Sequence, residues 1–203
     1  MSAYREDIFF CLDLTTGILK KKDVIKALKF YIEEKSKINH KAHYCILIFQ
    51  EKGNPILIKD KKDWEIIVKS VSENWQNRLK NNLLGSGLFY ILSYIAETTP
   101  KKSKINRVIV MTDMISGLSD DYKETLFDLV SKIKDFPTFI DILRIYEKIQ
   151  KDFIDDDSLD VLASQARGSV FYIKDKKEFM STIKNLAQSN TESSIAGDNK
   201  DLN

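Results

Sequence analysis

The sequence predicts one α/β domain with a mostly parallel central sheet, one antiparallel edge strand and helices on both faces. Three observations carry this. Short continuous apolar runs, such as 7–13, 43–49 and 107–113, read as strands buried on both faces. Segments with apolar residues at helical spacing separate most of these runs, and that alternation implies crossover connections between parallel strands. A Gly53-Asn54-Pro55 turn lies between two strand-like runs, which allows one hairpin and so one antiparallel strand at the sheet edge.

The elements follow in order. Residues 7–13 form a first strand, apolar inside and charged at both ends. Residues 22–37 predict a helix, because Val24, Leu28, Tyr31 and Ile32 fall close to an i, i+4, i+7 stripe. Residues 43–49 are the second strand, 56–58 a short third, and 63–71 a helix. Gly85-Ser86-Gly87 opens a helix carrying Leu88, Ile91, Leu92 and Ile95, which Pro100 and a lysine cluster end. Another buried strand occupies 107–113. Ser119 is placed as the N-cap of a helix with Tyr122, Leu126, Leu129, Val130 and Ile133 on one face. Residues 138–145 are a strand, and 158–167 a short helix with Gly168 as its C-terminal cap. Residues 169–173 make the last strand and 178–187 the last helix. The tail, 188–203, is rich in Ser, Asn and Asp and is expected to be disordered, so the domain spans 1–187. No internal repeat is present.

Composition limits function. The 203 residues are 43% hydrophobic, enough to build a single core. Charged residues reach 31% yet cancel to a net +2, and lysine outnumbers arginine, which argues against a direct nucleic-acid contact or an acidic-substrate enzyme. The polar N-terminus has no basic-then-apolar leader, and no apolar run approaches the roughly 20 residues needed to span a bilayer. A cytoplasmic location is the expectation. Cys11 and Cys45 lie inside apolar runs and read as reduced core thiols. His40 and His43 have no nearby nitrogen or sulfur ligands to complete a zinc site.

In open parallel sheets, ligands bind outside the carboxyl ends of the strands. That rule selects Asp13-Leu14-Thr15-Thr16-Gly17, Gly85-Ser86-Gly87 and Thr112-Asp113. Carboxylates, hydroxyls and water form a hard-oxygen shell suited to magnesium, calcium or manganese. Two strand-terminal carboxylates held together repel unless a cation or a hydrogen-bond network intervenes.

These residues, in this order, resemble the von Willebrand factor A (vWA) family with its metal-ion-dependent adhesion site, a Rossmann-like fold. The resemblance runs from about residue 7 to 187. Asp13-x-Thr15-x-Gly17 stands where the family has D-x-S-x-S. Ser86 aligns with the family's threonine before an apolar helix, and Val108-Ile109-Val110-Met111-Thr112-Asp113 matches the strand ending in Thr-Asp. The stretch from Leu162-Ala163 through Gly168 to Phe171 resembles the family's C-terminal ending. The site is degenerate, because Gly17 removes one of the two hydroxyls of the first motif.

The resemblance implies a non-enzymatic protein-interaction module. Asp13, Thr15, Ser86 and Asp113 would hold Mg2+, or else Mn2+ or Ca2+, with a coordination position left for a carboxylate on a partner protein. Met114 and Ile115, directly after Asp113, would add an exposed apolar contact with that partner. Intracellular relatives serve as subunits or scaffolds, as in the proteasome's ubiquitin receptor or the transcription and repair factor that opens DNA. Two alternatives stand beside this. Asp13-Leu14-Thr15-Thr16-Gly17 is also similar to the nucleophile motif of haloacid-dehalogenase-like phosphatases, with Asp13 as nucleophile, although Thr15 stands where they carry a second acid. The other is a structural domain whose metal site has decayed. Elsewhere, Lys20-Lys21-Lys22 and the Lys101–104 cluster read as solvated loops or as contacts for an acidic partner patch. Asp155-Asp156-Asp157 opposes a helix macrodipole, and Trp64 and Trp75 read as packing residues.

Overall fold

The computed structural model describes residues 5–14, 19–49, 56–61, 64–75, 83–99, 104–113, 118–134, 136–146 and 157–189. The elements run β1 (Glu6–Asp13), α1 (Lys21–Ile38), β2 (Ala42–Ile48), β3 (Ile56–Lys61), α2 (Trp64–Asn74), α3 (Leu84–Thr98), β4 (Ile105–Thr112), α4 (Asp120–Ile133), β5 (Thr138–Ile145), α5 (Ser158–Gln165), β6 (Val170–Ile173) and α6 (Lys176–Gln188). The strands make one six-stranded sheet in the order β3-β2-β1-β4-β5-β6. Every neighbouring pair is parallel except β2 with β3, which is antiparallel at one edge. This is the predicted architecture. The turn Gly53-Asn54-Pro55 lies outside the described residues.

The continuous apolar strands are explained by what covers them. Successive side chains of a strand point to opposite faces. Ile8, Phe10 and Leu12 of β1 join a core with α1, α2 and α6, whereas Phe9 and Cys11 join a second core with α3, α4 and α5. A central strand with helices on both sides has no wet face, so the period-two polar pattern disappears. Aromatic pairs key the layers together: Phe10 meets Tyr31 of α1 edge-on at 5.1 Å, and Phe9 meets Tyr94 of α3 at 6.1 Å. Cys11 and Cys45 are buried free thiols, as expected, and Trp75 packs partly buried against the first core.

The α3 helix begins at Leu84, so Gly85-Ser86-Gly87 opens it, as expected. Gly87 is there for space: a Cβ on it would lie 1.9 Å from the Phe49 ring. Ser119 does occupy the N-cap of α4, but its side chain makes no capping bond. Its carbonyl instead accepts from the Tyr122 and Lys123 N–H groups at 3.0 and 3.2 Å. Gly168 is not the left-handed cap of α5. Arg167 takes that conformation at φ 55°, and the Gly168 N–H closes the turn onto the Ala163 carbonyl at 2.8 Å. Gly168 is needed because a Cβ there would strike the Ile140 carbonyl oxygen at 1.9 Å. Asp157 stands at the N-cap of α5 without a side-chain capping bond, and Asp155 and Asp156 fall outside the described residues. The last helix starts earlier than its apolar pattern suggests, because Asp175 accepts from the Glu178 N–H at 2.8 Å. It runs through Gln188; residues 190–203, most of the expected tail, lie outside the described residues.

At the amino edge of the sheet, charged side chains are buried in pairs. Lys35 of α1 bridges Glu6 of β1 at 3.1 Å, with 2% and 1% of their side chains exposed. Asn39 Nδ2 donates to Glu6 at 3.0 Å. Arg107 of β4 faces Asp141 of β5 at 3.4 Å and donates to the Leu186 carbonyl at 3.1 Å. Lys35 also donates to the Ser189 carbonyl at 3.1 Å. Two buried cations therefore grip the last carbonyls of α6, where the helix dipole is negative.

Candidate functional site

The carboxyl edge is built by β1 and β4, adjacent and parallel, with Asp13 in register with Thr112. Asp13 is fully buried and Asp113 is 3% exposed. The two strand ends are tied by the Asp113 N–H, which donates to the Asp13 carbonyl at 3.3 Å. The two aspartates singled out from sequence are thus brought together. Thr112 Oγ1 donates to Asp13 Oδ2 at 3.0 Å, which fixes the carboxyl group's orientation. The other oxygen, Asp13 Oδ1, is buried and has no hydrogen-bond partner among the described residues.

This isolation has an electrostatic consequence. Burial pushes the Asp13 pKa up to about 7, the Thr112 hydrogen bond pulls it back, and the neighbouring Asp113 adds a further rise.

Ser86 reaches the same edge through packing. Gly87 seats α3 on Phe49, and the Phe49 N–H donates to the Leu12 carbonyl at 3.3 Å, one residue before Asp13. Ser86 is half-buried, and its hydroxyl donates to the Leu83 carbonyl at 3.0 Å. A hydroxyl that donates once keeps oxygen lone pairs for a ligand. Thr15 and Gly17, like Met114 and Ile115, fall outside the described residues.

The donor set suits a hard cation. It offers two carboxylates, one with a buried oxygen that no described residue satisfies, and a hydroxyl on the same edge. Among the described residues, no group of three or more His, Cys, Asp and Glu side chains could hold a metal. A cation here would therefore depend on hydroxyls and water to complete its shell.

Sequence reasoning missed two contacts. Thr112 was selected with Asp113, but its orienting bond to Asp13 depends on the β1–β4 register. The fit of Gly87 against Phe49 depends on a helix meeting a strand end 38 residues earlier in the chain. The signal present was a glycine beside a hydroxyl residue at the start of an apolar helix.

No protein-family model matches the chain, and no curated protein matches it in sequence. Solved structures do match. The SpRpn10 VWA domain superposes with a TM-score of 0.65 at 14% identity, covering 93% of this chain and 97% of that one. The N-terminal domain of TFIIH p34 gives 0.65 at 10% identity, covering 89% and 96%. The conserved hypothetical protein BatB from Bacteroides thetaiotaomicron gives 0.57 at 11% identity, covering 90% and 99%. At these identities the likeness speaks for architecture. Coverage of 97% of the SpRpn10 VWA domain, together with the strand order and the paired aspartates at the carboxyl edge, shows that this chain has the fold of a von Willebrand factor A domain.

Proposed function

We propose that this chain is a non-enzymatic protein-interaction module, a subunit or scaffold of a larger cytoplasmic assembly. In this reading its carboxyl edge binds a divalent cation, Mg2+ before Mn2+ or Ca2+. Asp13, Thr15, Ser86 and Asp113 hold the ion, and a partner's carboxylate completes the shell. Met114 and Ile115 add apolar contact beside it. The observation that carries the reading is the buried Asp13 Oδ1, without a partner among the described residues, next to Asp113. A polar atom so placed is costly unless something satisfies it, and a cation would remove both that cost and the repulsion between the carboxylates. The vWA fold supports the interaction role.

Calorimetric titration with Mg2+ and Mn2+, paired with thermal melts, tests this. A ligand bound only by the folded state adds about 2.7 kcal/mol of stability at a hundred times its Kd. The melting temperature should rise with Mg2+, and Asp113→Ala should abolish the rise. Absence of both heat and shift would leave a structural domain with a decayed site. Turnover of a generic phosphate ester that disappears in Asp13→Asn would instead favour the phosphatase alternative.

A further inference from the structure

Two lysine runs far apart in sequence converge at the carboxyl edge. Lys20, Lys21 and Lys22 open α1, and Lys174, Lys176 and Lys177 open α6; all six are exposed. The two helix starts are joined by the Lys176–Asp23 ion pair at 2.8 Å. Asp23, Asp175 and Glu178 lie among these lysines, so the patch keeps an excess of three positive charges. On the opposite face, α4 and α5 open with Asp120, Asp121, Asp157 and Asp160. The candidate site thus stands at an edge that is basic on the α1/α6 side and acidic on the α4/α5 side.

We infer that the partner engaging this edge does so through an acidic peptide segment, read by the α1/α6 lysine patch. The inference rests on the interaction-module reading above and names the chemistry of its partner. Charge complementarity selects the occupant. The patch holds lysines and no arginine, has carboxylates interspersed, and faces an acidic flank, which suits discrete carboxylates on a peptide better than a continuous phosphate chain.

Fluorescein-labelled octaglutamate, titrated by anisotropy with the full chain in Mg2+ and in EDTA, tests it. Binding at about 20 mM salt should weaken steeply by about 300 mM, as for contacts between exposed charges. The triple variant Lys20→Glu, Lys22→Glu, Lys177→Glu should weaken binding at least ~10-fold, whereas Lys37→Glu, Lys132→Glu, Lys134→Glu at the amino edge should change it less than ~2-fold. These positions are exposed, and unchanged melts would show that the variants fold. No binding at low salt, equal weakening by both variants, or tighter binding of an octathymidylate would overturn the inference. Lysine-dependent binding indifferent to Mg2+ and to Asp113→Ala would uphold the patch while removing the cation. Mg2+-dependent binding indifferent to the lysines would do the reverse.

Discussion

The two edges of this sheet treat buried charge in opposite ways. At the amino edge, Glu6 meets Lys35 and Asn39, and Arg107 meets Asp141 and the Leu186 carbonyl of α6. Burial raises the Asp141 pKa, and Arg107 pulls it back. At the carboxyl edge, among the described residues, Asp13 receives a hydrogen bond from Thr112 and lies beside a second carboxylate, while the buried cation Arg144 sits in register with Thr112 on the far side. Among the described residues, Asn106 Nδ2, Thr138 Oγ1, Arg107 Nε and Asp141 Oδ2 also lack hydrogen-bond partners at the amino edge, but its buried charges lie beside opposite ones. Charge paired with charge serves the fold. Charge stacked on like charge destabilises it, and points to a ligand that the fold alone does not supply.

The largest expected effect breaks the amino edge. Lys35→Met strands the Glu6 carboxyl in the core and should cost about 3–5 kcal/mol in urea unfolding. Adding Glu6→Gln should recover much of that loss. A single-variant cost below about 1 kcal/mol would mean that this pair is not the structural element proposed for this edge.

Asp13 should behave in the opposite sense. Its folded pKa, about 7, lies above the ordinary 3.8, so the native state binds more protons than the unfolded chain between those values. Metal-free stability should therefore fall as pH rises from about 4 to about 7, at up to about 1.4 kcal/mol per pH unit and about 4 kcal/mol in all. Asp13→Asn should remove this fall and be the more stable protein at pH 8 in EDTA, because the amide keeps the Thr112 bond without the charge. Denaturation of both proteins across that range checks the sign. A wild type that gains stability with pH would mean that Asp13 is ionised and compensated.

The smallest of the three concerns what seats Ser86. Gly87→Ala forces a Cβ into the Phe49 ring and should cost about 1–3 kcal/mol. If Ser86 ligates the cation, the same change should also blunt the melting shift with Mg2+. An intact shift would separate α3 from the site.

Much of this was legible from the chain. Strand 138–145 was placed to the residue, because an apolar run between a proline-bearing turn and a polar stretch leaves little freedom. Helix ends were less legible. The start of α6 rests on Asp175 capping Glu178, and the end of α5 on Arg167 accepting a left-handed conformation so that Gly168 can pass close to Ile140. Neither leaves a mark in apolar periodicity.

For the site, the sequence by itself determined that Asp13 and Asp113 end two buried strands, because strand burial shows directly in local hydrophobicity and the ends show as charge. It also determined the order and the parallel sense of the main elements. Only the tertiary structure decided that β1 and β4 are neighbours in register, so that Thr112 orients Asp13 and leaves Oδ1 without a partner among the described residues. Only it decided that Gly87 seats Ser86 at the same edge, and that Lys20-Lys21-Lys22 shares that edge with Lys174, Lys176 and Lys177. Register, helix seating and the convergence of distant charges depend on long-range packing, and no local pattern of residues encodes them.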